Sequence, residues 1–427
     1  MKVISHNRRN METLQQNNQS AFKDLFYEGF ENLKLWRPIT SKTNNAVDVL
    51  DFFSGCGGMS LGFASLSMFN IIGGVDINEI ALKTFERNFN TKTLQKDIRE
   101  LYLAKDYKLI QKYFGIEEKL KRKKPLVIIG CAPCQGFSAH TKKNKDKNDD
   151  RNTLIGAFAE IIVKLEPDFI VMENVPEILG DKYLHHYREA KEIFTINGYF
   201  INQQIYNSAT FEVPQARNRA IIIASKSEFS LPKGLLNPEE FKTVKDAIGD
   251  LPKINPGDIS KKDFYHRCAS HKKSTIETIS KVPKNGGSRP KGIGPKCLDK
   301  VNGFYDVYGR LSWDKPAITI TQYSRNPASG RFSHPVQNRG LTIREAARIQ
   351  SFPDGFVFEG NLDECFKQIG EAVPPLLSLA IASQIGNSLT TQKVLSKEKI
   401  SKISKALYNG AIINESSKNK SKKVSIS

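Results

Sequence analysis

The chain predicts an α/β fold: a doubly wound, mostly parallel sheet carrying a second, smaller, irregular β-containing domain. Three features carry that expectation. Short β-branched, apolar runs alternate with stretches of helical period from about residue 46 to residue 225. The first run opens into a glycine-rich turn, and the second ends on an acid roughly 25 residues later, the arrangement of a nucleotide-type site. From about Glu239 the texture changes to Gly, Pro, Lys, Ser and aromatics, and helical pattern returns only at Leu341. The segments are therefore 1–45, 46–240, 241–340, 341–390 and 391–427.

Composition narrows the setting. Hydrophobic residues make up 39% and charged residues 26% of 427, which suits a soluble globular protein. Six scattered cysteines do not make a disulfide framework. No apolar run reads as long enough to span a bilayer, and the N-terminus lacks the apolar core of a signal peptide. A reducing, cytoplasmic setting is expected. The net charge of +19 favours a polyanionic partner, most simply nucleic acid. Part of that charge lies in the Lys-rich tail, which also reads as a solvated end.

In chain order, residues 22–36 read as a short amphipathic helix. AVDVLDFF (46–53) reads as a strand, SGCGGMSLGF as a glycine turn entering a helix, and FNIIGGVD as a second strand ending at Asp76. NEIALKTFERNF (78–89) reads as a helix capped by Asn78. Asp97 stands near a third strand end, either as a turn residue or as an acceptor for an adenine amino group. PLVIIGCAPCQGFS (125–138) reads as a buried strand breaking at Gly130 into a proline-marked turn that presents Cys134. A polar loop runs on to about Asn152, and a helix covers 151–167. DFIVMENV (168–175) is apolar until Glu173, and a carboxylate there is costly unless paired or functional. A helix at 187–200 is followed by two strands around a turn, with Gln215, Arg217 and Arg219 at its exit. Arginines two apart on extended chain face the same way, which suits either a double clamp on an anion or base, or an exposed basic edge.

Residues 241–340 interleave basic groups with Tyr, Phe, Asn and His in glycine-bearing loops. This is either a surface that reads base edges and phosphates or an ordinary loop-rich domain. LTIREAARIQSF (341–352) reads as a helix stopped by Pro353-Asp354-Gly355, and 368–389 as an apolar helix after Pro375 that packs back on the first domain. The 241–340 segment is then an excursion rather than an appendage.

These residues resemble the cytosine-5 DNA methyltransferases, bacterial restriction-modification type. DFFSGCGG (51–58) is similar to that family's cofactor loop, GCAPCQGFS (130–138) to its nucleophile motif and ENV (173–175) to its strand-end glutamate. QARNR (215–219) is similar to its Gln-x-Arg-x-Arg motif, and REAARIQSFPD (344–354) and QIGEAVPP (368–375) to its two late motifs. The six occur in order between about Ala46 and Leu389.

The resemblance implies the S-adenosylmethionine-dependent methyltransferase fold, with 46–240 as catalytic and cofactor-binding domain, 241–340 as target-recognition domain and 341–390 completing the first. It implies S-adenosyl-L-methionine as cofactor, with Phe53 against the adenine, Gly55 and Gly57 close to the ligand, Asp76 with Ile77 at the ribose and Asp97 with Ile98 at the adenine. Pro133, Leu154, Glu371 and Ala372 complete that set, and no metal is called for. Cys134 would be the nucleophile, Glu173 would hold the cytosine edge, and Arg219, supported by Arg217, would orient both. Gln135, Ser138, Arg151, Gln215, Arg325, Asn326 and Arg331 are the expected DNA contacts. The implied partner is double-stranded DNA, met by a monomer at the nucleoid, with a restriction endonuclease as functional counterpart. Where the family usually has Asn, this chain has Glu371, a carboxylate that either repels the cofactor's carboxylate or pairs with its ammonium.

The chemistry explains the residue types. Thiolate attack on carbon 6 loads electrons onto carbon 5 of an otherwise unreactive ring, and Cys is strongly nucleophilic even when little of it is ionised. Three other readings compete. A tRNA-directed relative would have a shorter excursion than 241–340. A catalytically dead binder would not need Cys134, Glu173, Arg217 and Arg219. A redox or zinc site at Cys131 and Cys134 lacks a second cysteine pair, and Cys131 reads as an inert buried thiol.

Overall fold

The computed structural model describes residues 19–40, 47–132, 153–181, 184–300 and 306–391. Lys23–Ser383 form one compact unit; the chain's two ends, Met1–Phe22 and Gln384–Ser427, are grouped in another. Seven strands make one sheet: β1 (Val47–Phe52), β2 (Phe69–Asp76), β3 (Lys92–Gln95), β4 (Leu126–Gly130), β5 (Phe169–Asn174), β6 (Phe200–Asn207) and β7 (Asn218–Ser225). Their order is β3-β2-β1-β4-β5-β7-β6. The first five are parallel, and β7 runs antiparallel to both β5 and β6. The expected mostly parallel, doubly wound sheet is present.

Burial follows position in the sheet. β4 and β5 are buried at every residue, as central parallel strands covered on both faces must be. β6, at the edge, is mostly exposed and carries Asn202, Gln203 and Gln204. The chain winds from β1 out to β3, then crosses back to lay β4 beside β1, with Phe52 opposite Gly130. This reversal is where open α/β sheets bind ligands, outside the carboxyl ends of the strands. The turn after β1 and the loop after β4 therefore leave the sheet side by side.

Aromatic packing under that edge is tight. Phe158, on the helix Thr153–Val163, meets Phe52 edge-on at 5.7 Å and Phe53 at 5.8 Å. A Cβ on Gly130 would come within 2.5 Å of the Phe158 ring, so β4 can end there only on glycine. On the other face, the helix Gly58–Ala64 packs against the returning chain: a Cβ on Gly62 would meet the Leu379 nitrogen at 2.4 Å. One expectation is corrected here. Leu362–Thr391 is helical, long and apolar enough to cross a membrane by length and composition, although 83% of its most apolar window is buried inside the protein. It is also broken at 372–374, ahead of Pro375.

Residues 241–340 belong to the same compact unit as the sheet, and no separate domain is marked off. Among the described residues they contain the short helices Val244–Ile248 and Lys273–Ser280, and their β content is limited to isolated bridges such as Arg310 with Ser333. Ile279, Val282, Val307 and Tyr308 form a small apolar cluster. Fully buried Arg310 takes the place of a sheet. It donates to the carbonyls of Ile279, Val282, His334 and Gln337 and to Asn338 Oδ1, gathering one helical and four loop positions around one guanidinium.

A buried ion pair fastens the segment to the helix Ile343–Ile349. Arg339 donates to both Glu345 oxygens, at 2.8 and 2.7 Å, with the two side chains 0% and 1% exposed. Thr342 N also donates to Glu345, closing a capping box on that helix. Burial alone would raise the Glu345 carboxyl; Arg339 overrides it and holds the group at about 2. Glu345→Gln should lower unfolding stability by about 3 kcal/mol, because it strands a buried guanidinium. The stabilisation from the depressed carboxyl is present above its unfolded value of about 4.3 and is lost as pH falls towards about 2. Urea unfolding of wild type and variant should therefore differ at neutral pH and converge in acid.

Candidate active site

The site is assembled at the carboxyl edge of β1, β2, β4 and β5. Beyond β1, Phe53 takes a positive φ of 55°, and Gly55 and Gly57 follow at 51° and 91°. Left-handed backbone at three positions in five turns the chain sharply. Gly57 also has no room for a side chain, since a Cβ would sit 2.3 Å from the Phe89 ring, whereas Gly55 has open space around it.

Asp76, at the end of β2, holds this turn. Its Oδ2 accepts from Gly55 N and its Oδ1 from Asn78 N, both at 2.8 Å. Burial still leaves the carboxyl above its usual range. Ile77, beside it, is an aliphatic side chain 65% exposed. Open space over Gly55, flanked by a carboxylate, an exposed aliphatic and the half-buried Phe53 ring, fits a nucleoside: an apolar wall for the base and an acid for vicinal hydroxyls. Asp97 caps the helix Ile98–Leu103 by accepting from Arg99 N at 2.9 Å, and the Arg99 guanidinium holds its carboxyl below the usual range. The Ile98 and Leu154 side chains are buried.

Asp51 is a residue that the strand pattern did not single out. It lies inside β1, 1% exposed, and accepts from Ser60 Oγ at 2.6 Å. Burial pushes its carboxyl up to about 8, so it is largely neutral at pH 7. A second acid, after Asp48, inside the strand VDVLDF was the available signal.

At the end of β5, Glu173 is 8% exposed and pairs with Arg219 Nε at 2.7 Å. The neighbouring Asn174 donates from Nδ2 to the Ala132 carbonyl at 3.2 Å, and Cys131 N donates to Phe52 O at 3.4 Å. β4, β5 and β1 thus jointly hold the first residues of the CAPCQ loop. Asn174 also was not singled out from sequence. Cys131 Sγ lies 3.3 Å from Met59 Sδ, and burial, then Glu173, pushes its thiol well above its ordinary value. Pro133, Cys134, Gln135, Ser138 and Arg151 lie outside the described residues.

The two arginines expected to act together part company. Arg219 faces Glu173, while buried Arg217 donates to the carbonyls of Ile320, Gly370 and Ala372. Arg217 ties the start of β7 to two later segments. The DNA contact expected of Gln215 is corrected: the residue is 0% exposed, its amide donating to Ile349 O and Gln350 Oε1 and accepting from Ile320 N. Arg331, partly exposed, donates to Asp306, Ser288 and the carbonyls of Gly286, Gly287 and Arg310. Arg325 pairs with Asp363. Asn326 is exposed and caps the turn Pro327–Ser329.

Glu371 and Ala372 run beside the glycine turn. A Cβ on Gly58 would sit 2.9 Å from Ala372 Cβ and 2.6 Å from the Val373 carbonyl, and Cys56 Sγ is 3.7 Å from Gln368 O.

Comparison with known proteins agrees with this architecture. Type II methyltransferase M1.HphI of Haemophilus parahaemolyticus is 36% identical over 340 residues, covering 79% of this chain and 86% of its own. Type II methyltransferase M1.BsuMI of Bacillus subtilis is 33% identical, covering 84% of each. Among solved structures, a prophage-encoded Escherichia coli protein assigned as a DNA modification methyltransferase superposes with a TM-score of 0.63 at 25% identity, over 81% of this chain and 99% of its own. The profile of the C-5 cytosine-specific DNA methylases matches residues 47–387. With that span holding the glycine turn, the strand-end glutamate and the late motifs, the chain belongs to the C-5 cytosine-specific DNA methylases.

Proposed function

We propose that this enzyme methylates carbon 5 of a cytosine turned out of a specific duplex DNA sequence, through a covalent bond from Cys134, as the modification half of a type II restriction-modification pair. The observation that carries the reading is the Glu173–Arg219 pair at the end of β5, beside the Asn174 amide that holds Ala132. Cys134 follows Ala132 by two residues in the sequence. S-adenosylmethionine, when bound, supplies the methyl group as an electrophilic carbon on a sulfonium. Asp76, Ile77, Phe53 and the turn at Gly55 would hold it, with Asp97 at the base.

The protein's own groups do the rest. Cys134 Sγ bonds to carbon 6, and the electron pair moves to carbon 5. Glu173 places a proton at ring nitrogen 3, and Arg219 fixes the carboxyl and opposes the charge that develops on the ring. After methylation, loss of the carbon 5 proton re-forms the double bond and expels the thiolate. The base must leave the helix first, at a cost of roughly a few kcal/mol, and basic groups on 241–340 are the natural source of compensating contacts. The enzyme acts as a monomer on the nucleoid, in the cytoplasm.

Labelled S-adenosylmethionine offered to unmethylated duplex DNA, and in parallel to tRNA, tests the substrate. Label on carbon 5 of cytosine at one short recurrent DNA site is expected; label in tRNA alone, or in neither, would overturn the reading. With 5-fluorocytosine at that site, proton loss is blocked, and wild type should stay covalently attached to the DNA. Cys134→Ala should lose both adduct and turnover while still binding DNA. Arg219→Leu should lower kcat by about 10²–10³-fold with a smaller change in KM. Binding should weaken steeply with salt, the logarithmic slope falling about 0.9 per phosphate neutralised.

A further inference from the structure

The amphipathic segment 22–36 has no part in the reaction above, and the family profile begins only at residue 47. From Lys23 onward the segment nevertheless belongs to the same compact unit as the sheet, and residues 23–34 are helical. It is closely seated. Asn32 Nδ2 donates to Ser65 O at 2.9 Å, and a Cβ on Gly29 would overlap the Leu379 side chain. Beyond the helix, Ile39 N donates to Asn88 O at 2.9 Å. The Trp36 carbonyl accepts from Arg37 Nη1 at 2.6 Å and lies over Gly355, where a Cβ would overlap it. Trp36 is thus set between the helix Glu79–Phe89 and the turn at Pro353-Asp354-Gly355.

A chain of rings leads from Trp36 to the glycine turn. The Trp36 ring is buried, 5.9 Å from that of Phe89. Phe89 stands 4.7 Å from Phe85 and 6.5 Å from Phe356, and Phe356 stands 4.9 Å from Phe352. The other side of this cluster is the turn itself. Phe89 and Phe85 fill the space that a Gly57 Cβ would need, and Phe352 lies 3.2 Å from the Cβ position of Gly58. Interiors this closely packed pass a displacement on, and a ring that loses its backing can withdraw into the space left behind. Trp36 Nε1 is buried and has no hydrogen-bond partner among the described residues. The indole therefore acts through packing.

We propose that Trp36 is a positioning residue for the cofactor turn: by backing Phe89 it keeps residues 55–57 in the shape that receives S-adenosylmethionine. The inference rests on the cofactor assignment above. A turn ordered before binding costs the ligand less than one that binding must order. Loss of the indole therefore falls on cofactor affinity. The Glu173–Arg219 pair, which joins β5 to β7, is held by other contacts and keeps its geometry. Turnover at saturating cofactor and affinity for DNA are left as they were.

Titration calorimetry of the full-length protein with S-adenosylmethionine, and equilibrium binding to unmethylated duplex DNA without cofactor, test this below the unfolding transition of every variant. Trp36→Ala should bind cofactor about threefold to thirtyfold more weakly. Its cofactor KM should rise likewise, with kcat and DNA affinity unchanged. Trp36→Phe, which gives up no hydrogen bond and keeps a ring against Phe89, should recover most of the loss. Phe26→Leu alters the core of the same helix, where the ring packs on Tyr27 and Phe30. It should lower the unfolding temperature without moving cofactor affinity. Trp36→Leu, which removes the ring but keeps apolar bulk, serves where Trp36→Ala does not fold. Wild-type cofactor affinity without the indole, an equal loss from Phe26→Leu, or a parallel loss of DNA binding overturns the proposal and leaves the cofactor assignment standing. No cofactor binding by wild type overturns both.

Discussion

A carboxylate at the buried end of a central strand has to be answered by a cation, and much of this fold follows from how Glu173 is answered. β5 is covered on both faces, so solvent cannot provide the counter-charge. Arg219 provides it from β7, the strand that lies antiparallel beside β5 with Ile221 opposite Glu173. A parallel neighbour would present its amino end at the other edge of the sheet. The reversal of β7 is what brings a residue from the start of a strand to the carboxyl end of β5. β6 then closes the sheet as a polar edge, and the run between β6 and β7 is left at the active edge, where Gln215 and Arg217 meet later parts of the chain.

Buried and half-buried arginines extend the same principle. Arg217, Arg310 and Arg331 each collect backbone carbonyls from segments far apart in sequence, and Arg339 locks Glu345 to the end of 241–340. A guanidinium offers five donors in one plane, so one residue can satisfy several carbonyls that a loop-rich region would otherwise leave without partners. This bears on charge. Part of the net +19 is consumed inside the protein as scaffolding. The charge available to a phosphate backbone is smaller than composition suggests.

This divides what the sequence discloses from what it conceals. β1, β2, β4 and β5 were legible because central parallel strands are continuous apolar runs, and the turn at Gly55 because backbone of that handedness demands glycine. Asp76 and Glu173 were legible as acids at strand ends. Gln215 and Arg331 were not: a buried glutamine and an exposed one look alike in sequence, Gln215 being fixed by a contact 105 residues away and Arg331 by a carbonyl 45 residues away. Asp51 escaped because a strand reading counts it as an interruption, when its burial makes it a neutral acid bonded to Ser60. The β content expected of 241–340 rested on composition, which cannot distinguish strands from bridges and carbonyl-collecting side chains.

Three carboxyl groups converge near one glycine turn, and each tolerates the others in a different way. Asp51, wholly buried, avoids charge by keeping its proton and accepting from Ser60. Asp76 takes two backbone N–H donors, so its negative charge is partly spent on holding the turn. Glu371, exposed in part, has its carboxyl raised chiefly by burial, against which Lys367, one turn away, lowers it. The series runs from a proton-bearing acid in the core, through a hydrogen-bonded one at the strand end, to an exposed one beside Lys367.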